Sequence, residues 1–421
     1  MLVSLPTLPQ LPSALRNQLE LTYLKYATEI LPLSYTEFIR NEFHIDLTTQ
    51  YAGLPIQSPF GKASGQLSMT SRQVADDVSA GLGFIVLKTV IAQDESGAQT
   101  MQDWVSTETK MVVEPIVGAE GDTGWTVTWK GRGWSRSFND YLNLIREANQ
   151  ISGDQCLIVP SCKYHLPGPH QQLWNEDEYR FTTKALYEAW NSSRVGEKKS
   201  MPLEKDFSPT LAGDRLSEVR EQILNWLNEV PRLIRASLTN PDQIRIGLKL
   251  FNTLFEDEFQ LELLNQIHKG EHHPDFFIYG NRLFDPRREF EGHLGVAYGG
   301  PDLSDRNLRI LTRYRQLNTA QNILPLSATG NINSGRRAVE YMLCGAENFQ
   351  MHTYFQLPAS EYSCKVGNKT HKALHELYFH PEQGLIAWLV HLAQLLDMPD
   401  KQISFSKLVQ EIKSRNATLD H

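Results

Sequence analysis

Cysteine is scarce in this chain: Cys156, Cys162, Cys344 and Cys364 are spread over 421 residues with no paired spacing. That speaks against the disulfide framework of a small secreted domain and predicts a reducing, cytoplasmic setting. No Cys-x-x-Cys pair exists to seat an iron–sulfur cluster. Long apolar runs are missing as well. No stretch approaches the roughly 20 apolar residues that cross a bilayer, and the N-terminus shows no cationic segment leading into an apolar core and a cleavage site. Positive charge is in deficit, 41 Lys and Arg against 49 Asp and Glu, for a formal net charge of -8. With only local pairs such as Lys198-Lys199 and Arg336-Arg337, nucleic acid is excluded as a partner. Internal repeats and low-complexity tracts are absent too.

What is present is apolar content, 41% of residues, enough for one large barrel with insertions or for two ordinary domains. The apolar runs at 84–87, 157–159, 244–250, 276–279, 323–327 and 349–351 are short and rich in β-formers, as strands buried on both faces should be. Amphipathic patterns lie between them. Val219, Ile223, Trp226, Leu227 and Val230 share one helix face, and Phe255, Phe259, Leu263 and Ile267 share another. Strand alternating with helix over this length predicts an α/β fold, a (β/α)8 TIM barrel of parallel strands. Ahead of it, residues 1–44 read as a helical extension with Leu15, Leu19, Leu21, Leu24 and Ile30 on one apolar side. Residues 48–55 alternate as a lead-in hairpin. The barrel is assigned to residues 45–400, with a helix and an insertion after the third strand at about 165–205, and residues 401–421 form a tail.

Near the C-terminal end, LPLSATGNINSG at 324–335 precedes a helical stretch and then CGAENFQMHT at 344–353. This reads as a buried strand, a small-residue turn, a helix and a second strand, the way parallel barrels build a phosphate cradle. Gly-Asn and Ser-Gly are ordinary turn dipeptides also; the repeating strand-and-helix context is what argues for the cradle.

Four further stretches, SPFGKASG at 58–65, GFIVLKT at 83–89, GLKL at 247–250 and GHLGVAY at 292–298, stand in order ahead of that cradle and LCGA at 343–346. Together they resemble the dihydroorotate dehydrogenase family of FMN-dependent barrels over roughly residues 45–355. The resemblance implies bound FMN and hydride transfer to it from a dihydropyrimidine-like substrate, as in pyrimidine biosynthesis. Ala63, Ser64 and Gly65 would lie against the flavin ring. Lys88 and Lys249, each ending an apolar strand run where an unpartnered charge is costly, would neutralise the electron-rich N1–C2=O edge, with Lys88 counted among the catalytic groups. Thr89 would add a hydroxyl, Gly295 falls in a matched stretch, and Gly330, Asn331 and Thr353 match the phosphate end, Asn331 standing where the family usually has Gly.

For the proton-accepting base the resemblance points to Ser208, in LEKDFSPTLAG at 203–213. Asp206 and Thr210 replace asparagines that would grip a pyrimidine, and an acidic Asp206 is expected to repel a carboxylate substrate. Cys162, at the end of the third strand, is a second candidate base or a half-buried structural thiol. Asn281 is a substrate amide contact or a turn residue. Trp125, Trp129 and Trp134 form an apolar lid or pack an insertion. His371 and His375, four apart with His380 beyond, have a spacing that holds metals, but without a carboxylate or Cys at firm spacing a solvated helix is the expectation and no metal site is assigned. The electron acceptor, whether quinone, fumarate or NAD, is not encoded in a motif, and a peripheral membrane contact of the N-terminal helices and a homodimer are left open. Two alternatives stand beside this reading: a divergent flavoprotein acting on another cyclic or unsaturated substrate, and a phosphate-binding barrel without dehydrogenase activity.

Overall fold

The computed structural model describes residues 2–101, 111–129, 133–168, 173–194, 200–207, 220–252, 256–290, 293–318, 323–398, 402–416 and 418–419. Every apolar run named above contributes to a strand, and all strands of the main sheet are parallel. They are β1 (Phe60–Lys62), β2 (Phe84–Val86, resuming at Val90–Ile91), β3 (Leu157–Val159, resuming at Ser161–Lys163), β4 (Met201–Asp206), β5 (Ile244–Lys249), β6 (Phe276–Tyr279), β7 (Leu326–Thr329) and β8 (Ala346–Met351).

Ten strand segments thus make eight strands, because β2 and β3 are each interrupted. Pro160 has no N–H to give the ladder, so β3 breaks there, while its carbonyl still accepts from Glu204 N at 3.0 Å. The first halves of β2 and β3 pair with each other, as do their second halves, and the second half of β3 pairs with β4. With β8 pairing to β1 and β1 to β2, the circle closes. A closed sheet has no free edge, and its strands are buried on both faces.

Helices return the chain after each strand: α1 (Ser71–Ala80), α2 (Phe138–Ser152), α3 (Glu176–Ser193), α4 (Arg220–Ala236), α5 (Asp257–Lys269), α6 (Pro301–Leu317), α7 (Gly335–Leu343) and α8 (Lys369–Phe379). Their starts are written locally. Thr70 with Gln73 and Ser137 with Asp140 are capping boxes, Asn175 caps α3 ahead of three acidic residues, and Pro301 sets the first turn of α6. Residues 165–205 carry the expected helix as α3 and then run into β4, whose first five residues fall inside the range assigned to an insertion. Longer excursions leave the barrel elsewhere: an antiparallel hairpin (Met111–Val117 with Thr123–Trp129) after β2, and another (Leu283–Phe290 with His293–Tyr298) after β6.

The N-terminal helices form as expected, Ser13–Tyr26 and Tyr35–Phe43, but not with the expected face inward. Leu19 is fully buried, whereas Leu21, Leu24 and Ile30 are 69%, 68% and 71% exposed. Leu15 and Leu19 lie one turn apart, while Leu21 and Leu24 fall on a side that no element among the described residues covers. At the other end, Ile403–Ser404 pairs with Ile45–Asp46 and Thr418–Leu419 with Leu2–Val3, joining the tail to the lead-in segments.

A buried ion pair stands where β1 meets α1. Lys62 Nζ lies 2.8 Å from Asp77 Oδ1 and 3.0 Å from Thr370 Oγ1, and Thr370 donates to Asp77 at 2.6 Å. The ammonium also rests 4.2 Å from the Phe355 ring centroid. Deleting one partner strands the other charge in the core, so Lys62→Met is expected to lower unfolding free energy by about 3–5 kcal/mol. Lys62→Met combined with Asp77→Leu should recover most of that loss in urea denaturation. An unchanged midpoint for the single variant would show that the pair carries no such charge.

Candidate functional site at the barrel mouth

Eight parallel strands present their C-terminal ends at one mouth, where barrel sites are built. Residues 63–65 leave β1 there, with Ala63 N donating to Met351 O at 2.9 Å. A side chain on Gly65 would come within 2.1 Å of His352 Nε2, so the backbone approach requires glycine. Ser64 Oγ shares a hydrogen bond of 2.9 Å with Thr89 Oγ1, and Thr89 shares another of 3.0 Å with Ser161 Oγ, a hydroxyl ladder across β1, β2 and β3. Lys88 and Thr89 occupy the break in β2, and Lys88 N donates to Ser68 O at 3.1 Å. Lys249 is the last residue of β5, in register with Asp206 on β4. Both lysines are only 3% exposed.

Positive charge converges here. Burial pushes Lys88 down to about 8; Asp206 opposes that shift, while Lys249, Lys163 and Arg282 add to it. Burial likewise pulls Arg282 to about 9. His352 is driven well below its ordinary range, first by burial and then by Lys62, Lys88, Arg282 and Lys249. Four cations within mutual electrostatic reach, one carboxylate among them, make the mouth a site that gains free energy by taking an anion. Lys163 and Arg282 were not singled out from the sequence. Lys163 ends a strand segment as Lys249 ends β5, a signal visible in the sequence.

The strand, turn, helix and second strand expected over 324–353 also form. Gly330 sits at φ +107, and a side chain there would meet Asn307 Nδ2 at 2.6 Å and Gly280 O at 2.8 Å. Asn307, buried on α6, donates to Gly280 O and Thr329 O, both at 3.0 Å, and accepts from Asn252, so one side chain ties the ends of β6 and β7. Asn331 holds φ +51 and donates to Ser304 Oγ at 3.0 Å. Ser334 caps α7, whose first amides are among the polar groups at this end. Thr353 follows β8, half-buried.

The hairpin after β2 reaches this far side. Thr126 Oγ1 accepts from Gly299 N at 2.9 Å, Ala119 N donates to Asp302 at 2.7 Å, and Arg282 Nη1 donates to Val127 O at 2.7 Å and Ala297 O at 3.1 Å. Gly124 lies so close to Pro301 that a side chain would fall 2.7 Å from the ring. Trp125 is carried on this hairpin, half-buried; Trp129 ends it; Trp134 is buried beside β2, its backbone N–H donating to Thr89 O at 2.8 Å. Gly295 uses its φ of +89 within the second hairpin, against the Phe284 ring; the glycines standing at the start of α6 are Gly299 and Gly300.

Ser208 and Thr210 lie outside the described residues. Cys162 is fully buried, and burial pushes its thiol far up, which disfavours the thiolate a base would need. Asn281 follows β6, its N–H donating to Leu250 O at 3.0 Å. Asp206 stands among lysines, so the repulsion expected of it is offset by Lys88 and Lys249.

The helix carrying His371 and His375, with His380 just past its end, is not solvated as expected. His375 is fully buried on α8, stacked on Tyr23 at 4.9 Å with Nε2 3.1 Å from Tyr23 O, because the N-terminal helix Ser13–Tyr26 packs on α8. No group of three or more His, Cys, Asp or Glu among the described residues is arranged to hold a metal. Nor is any helix among them long and apolar enough to cross a membrane.

No family model matches this chain, and no curated relative does. Among solved structures it is similar to the DHODH of Eimeria tenella, determined in complex with ferulenol, with a TM-score of 0.56 at 11% identity. The match covers 96% of this chain and 97% of that one. The likeness is one of fold.

Proposed function

We propose that this protein is an FMN-dependent oxidoreductase acting on CH–CH groups, and that it takes a dihydropyrimidine-like substrate. The observation that carries the proposal is the pair of buried lysines, Lys88 in the break of β2 and Lys249 at the end of β5, at a mouth that also holds the Gly330 turn. The residues fit the cofactor. Residues 63–65 offer a surface free of large side chains, Gly330 offers backbone where a Cβ does not fit, and the surplus of ammonium and guanidinium groups suits an anionic phosphate and an electron-rich ring edge. FMN supplies hydride chemistry when bound. The chain's own part is to hold it: Lys88 and Lys249 fix positive charge at one edge, the Ser64–Thr89–Ser161 hydroxyls donate along β1 to β3, and Asn307 keeps the cradle in shape. The base is assigned to Ser208, in the segment that follows β4.

Asp206 favours a second reading, a different cyclic or unsaturated substrate, since a carboxylate stands where the resemblance implies an amide. Purified protein should be yellow and release FMN on denaturation. It should turn over with a member of a dihydropyrimidine panel offered with quinone, fumarate or NAD, and Ser208→Ala should lose that turnover. Protein that neither carries nor takes up FMN overturns the proposal; flavin reduction without dihydropyrimidine oxidation supports the second reading.

A pH dependence follows from Lys88. Its ammonium is present below about 8 and lost above, so FMN affinity is expected to be constant from pH 6 to 7 and to fall as pH rises through that value, by up to about tenfold per unit. Lys88→Arg, charged throughout this range, should flatten the curve. Flavin fluorescence titrations at several pH values give the result directly, and an equally steep wild-type and variant curve would remove Lys88 from the site.

A further inference from the structure

Below the mouth, the barrel interior holds a carboxyl group that the reading above does not use. Glu204 lies on β4 with no exposed surface, two residues before Asp206. Tyr51, brought into the barrel floor by the hairpin of Thr49–Tyr51 with Leu54–Ile56, donates to Oε1 at 2.5 Å, its ring held between Phe84 and Phe276. Gln350 on β8 donates its amide to the same oxygen and, at 3.0 Å, to Ser327 Oγ on β7; Ser327 donates to Asn348 Oδ1 at 2.5 Å. Oε2 is buried and has no hydrogen-bond partner among the described residues.

The two donors on Oε1 favour the carboxylate, while a buried Oε2 without a donor favours the acid, so the cage accommodates either form. A full carboxylate in that cage would leave one oxygen unsolvated, at considerable cost. Lys249 acts the other way. The strand register sets Asp206 opposite Lys249 and Glu204 opposite Gly247, two residues below the ammonium on a partner with no side chain at that level. The charged or titratable groups that act on Glu204 are Tyr51 from the hairpin, Tyr141 from α2, Lys249 from β5 and Asp206 on its own strand. Both tyrosines are held protonated by burial. Burial favours the acid and Lys249 favours the anion, so the occupancy of the proton depends on how far the ammonium is already neutralised from above.

We infer that Glu204 is a proton-uptake group coupled through Lys249 to negative charge at the mouth. This rests on the reading of the mouth as a flavin site. Hydride from a CH–CH donor delivers two electrons and one proton, adding one negative charge above Lys249; the Glu204 carboxylate then binds one proton from solvent, and the net charge of the buried cluster is unchanged. Reoxidation returns the proton. Glu204 is in this sense a positioning residue, acting on the cofactor through Lys249.

The test is the midpoint potential of the FMN-loaded protein, measured spectroelectrochemically from pH 5 to 7, where Lys88 stays protonated. For a two-electron couple each coupled proton contributes about 30 mV per pH unit. Wild type is expected to show a window of one to two pH units in which the slope is about 30 mV per pH unit steeper than in Glu204→Gln. Identical slopes in the two proteins overturn the inference while leaving the flavin site intact; failure of wild type to bind FMN overturns the reading of the mouth itself. If Glu204→Gln does not fold, Tyr51→Phe keeps the aromatic packing and removes one donor from the carboxylate. It should move the steep window to higher pH, and a window that stays where it was overturns the inference.

Discussion

Lys88→Met is expected to lower turnover by about 10²–10³-fold and to make the potential of the bound flavin more negative. The argument is positional. Lys88 sits in a break of β2 with its backbone held by Ser68 O and its side chain almost wholly out of water, so its charge is fixed and poorly screened. A methionine of similar reach keeps the packing and removes only the charge. Lys249→Met should act in the same direction, and because both lysines serve one developing negative charge, the double variant should lose less than the product of the single losses. Stopped-flow reduction together with potentiometry separates this from a folding defect, since the Met variants should still melt cooperatively. A Lys88→Met protein with wild-type potential and turnover would leave the mouth without its central electrostatic element.

Much of the fold was legible because a closed parallel barrel buries strands on both faces and so writes them as short uninterrupted apolar runs. Leu157–Val159 and Phe276–Tyr279 are of this kind. Met201–Asp206 was not legible for the same physical reason in reverse. Its inner and outer faces carry Glu204 and Lys205, buried through partners that only the tertiary structure brings together, and half-buried Asp206, so the segment reads as a polar loop. Lys205 shows the point: burial pulls it to about 7, and it survives in the wall by donating to Asp206 O at 3.0 Å and resting 4.5 Å from the Phe207 ring centroid. The strand-end lysines at 88 and 249 were visible as charges closing apolar runs. Arg282 and Asn307 were not, because each is defined by what it bridges: two hairpin carbonyls for Arg282, two strand-end carbonyls for Asn307. Cys162 looked like a strand-end nucleophile in sequence, but alternation along β3 places its thiol in the wall against Tyr164 and Lys205.

Gly330→Val should abolish FMN retention, with affinity falling by more than about 100-fold, and it should do so for two separable reasons. A β-branched residue at φ +107 is strained wherever it occurs, by about 1–3 kcal/mol. In addition its Cβ would displace Asn307 Nδ2 or Gly280 O, breaking hydrogen bonds that tie β6 to β7 and leaving buried polar groups unpaired, which costs a further 1–3 kcal/mol or so for each. Asn331→Gly is the matched control. Asn331 holds φ +51, a region glycine enters freely, and its side chain donates to Ser304 Oγ, so its loss should change affinity by less than about threefold. Equilibrium dialysis against FMN distinguishes the outcomes. Equal affinities in Gly330→Val and wild type would mean that the turn after β7 supports the barrel but does not face a phosphate. A large loss in Asn331→Gly would instead make the asparagine amide itself a ligand, and would explain why this chain carries Asn where the resembling family has Gly.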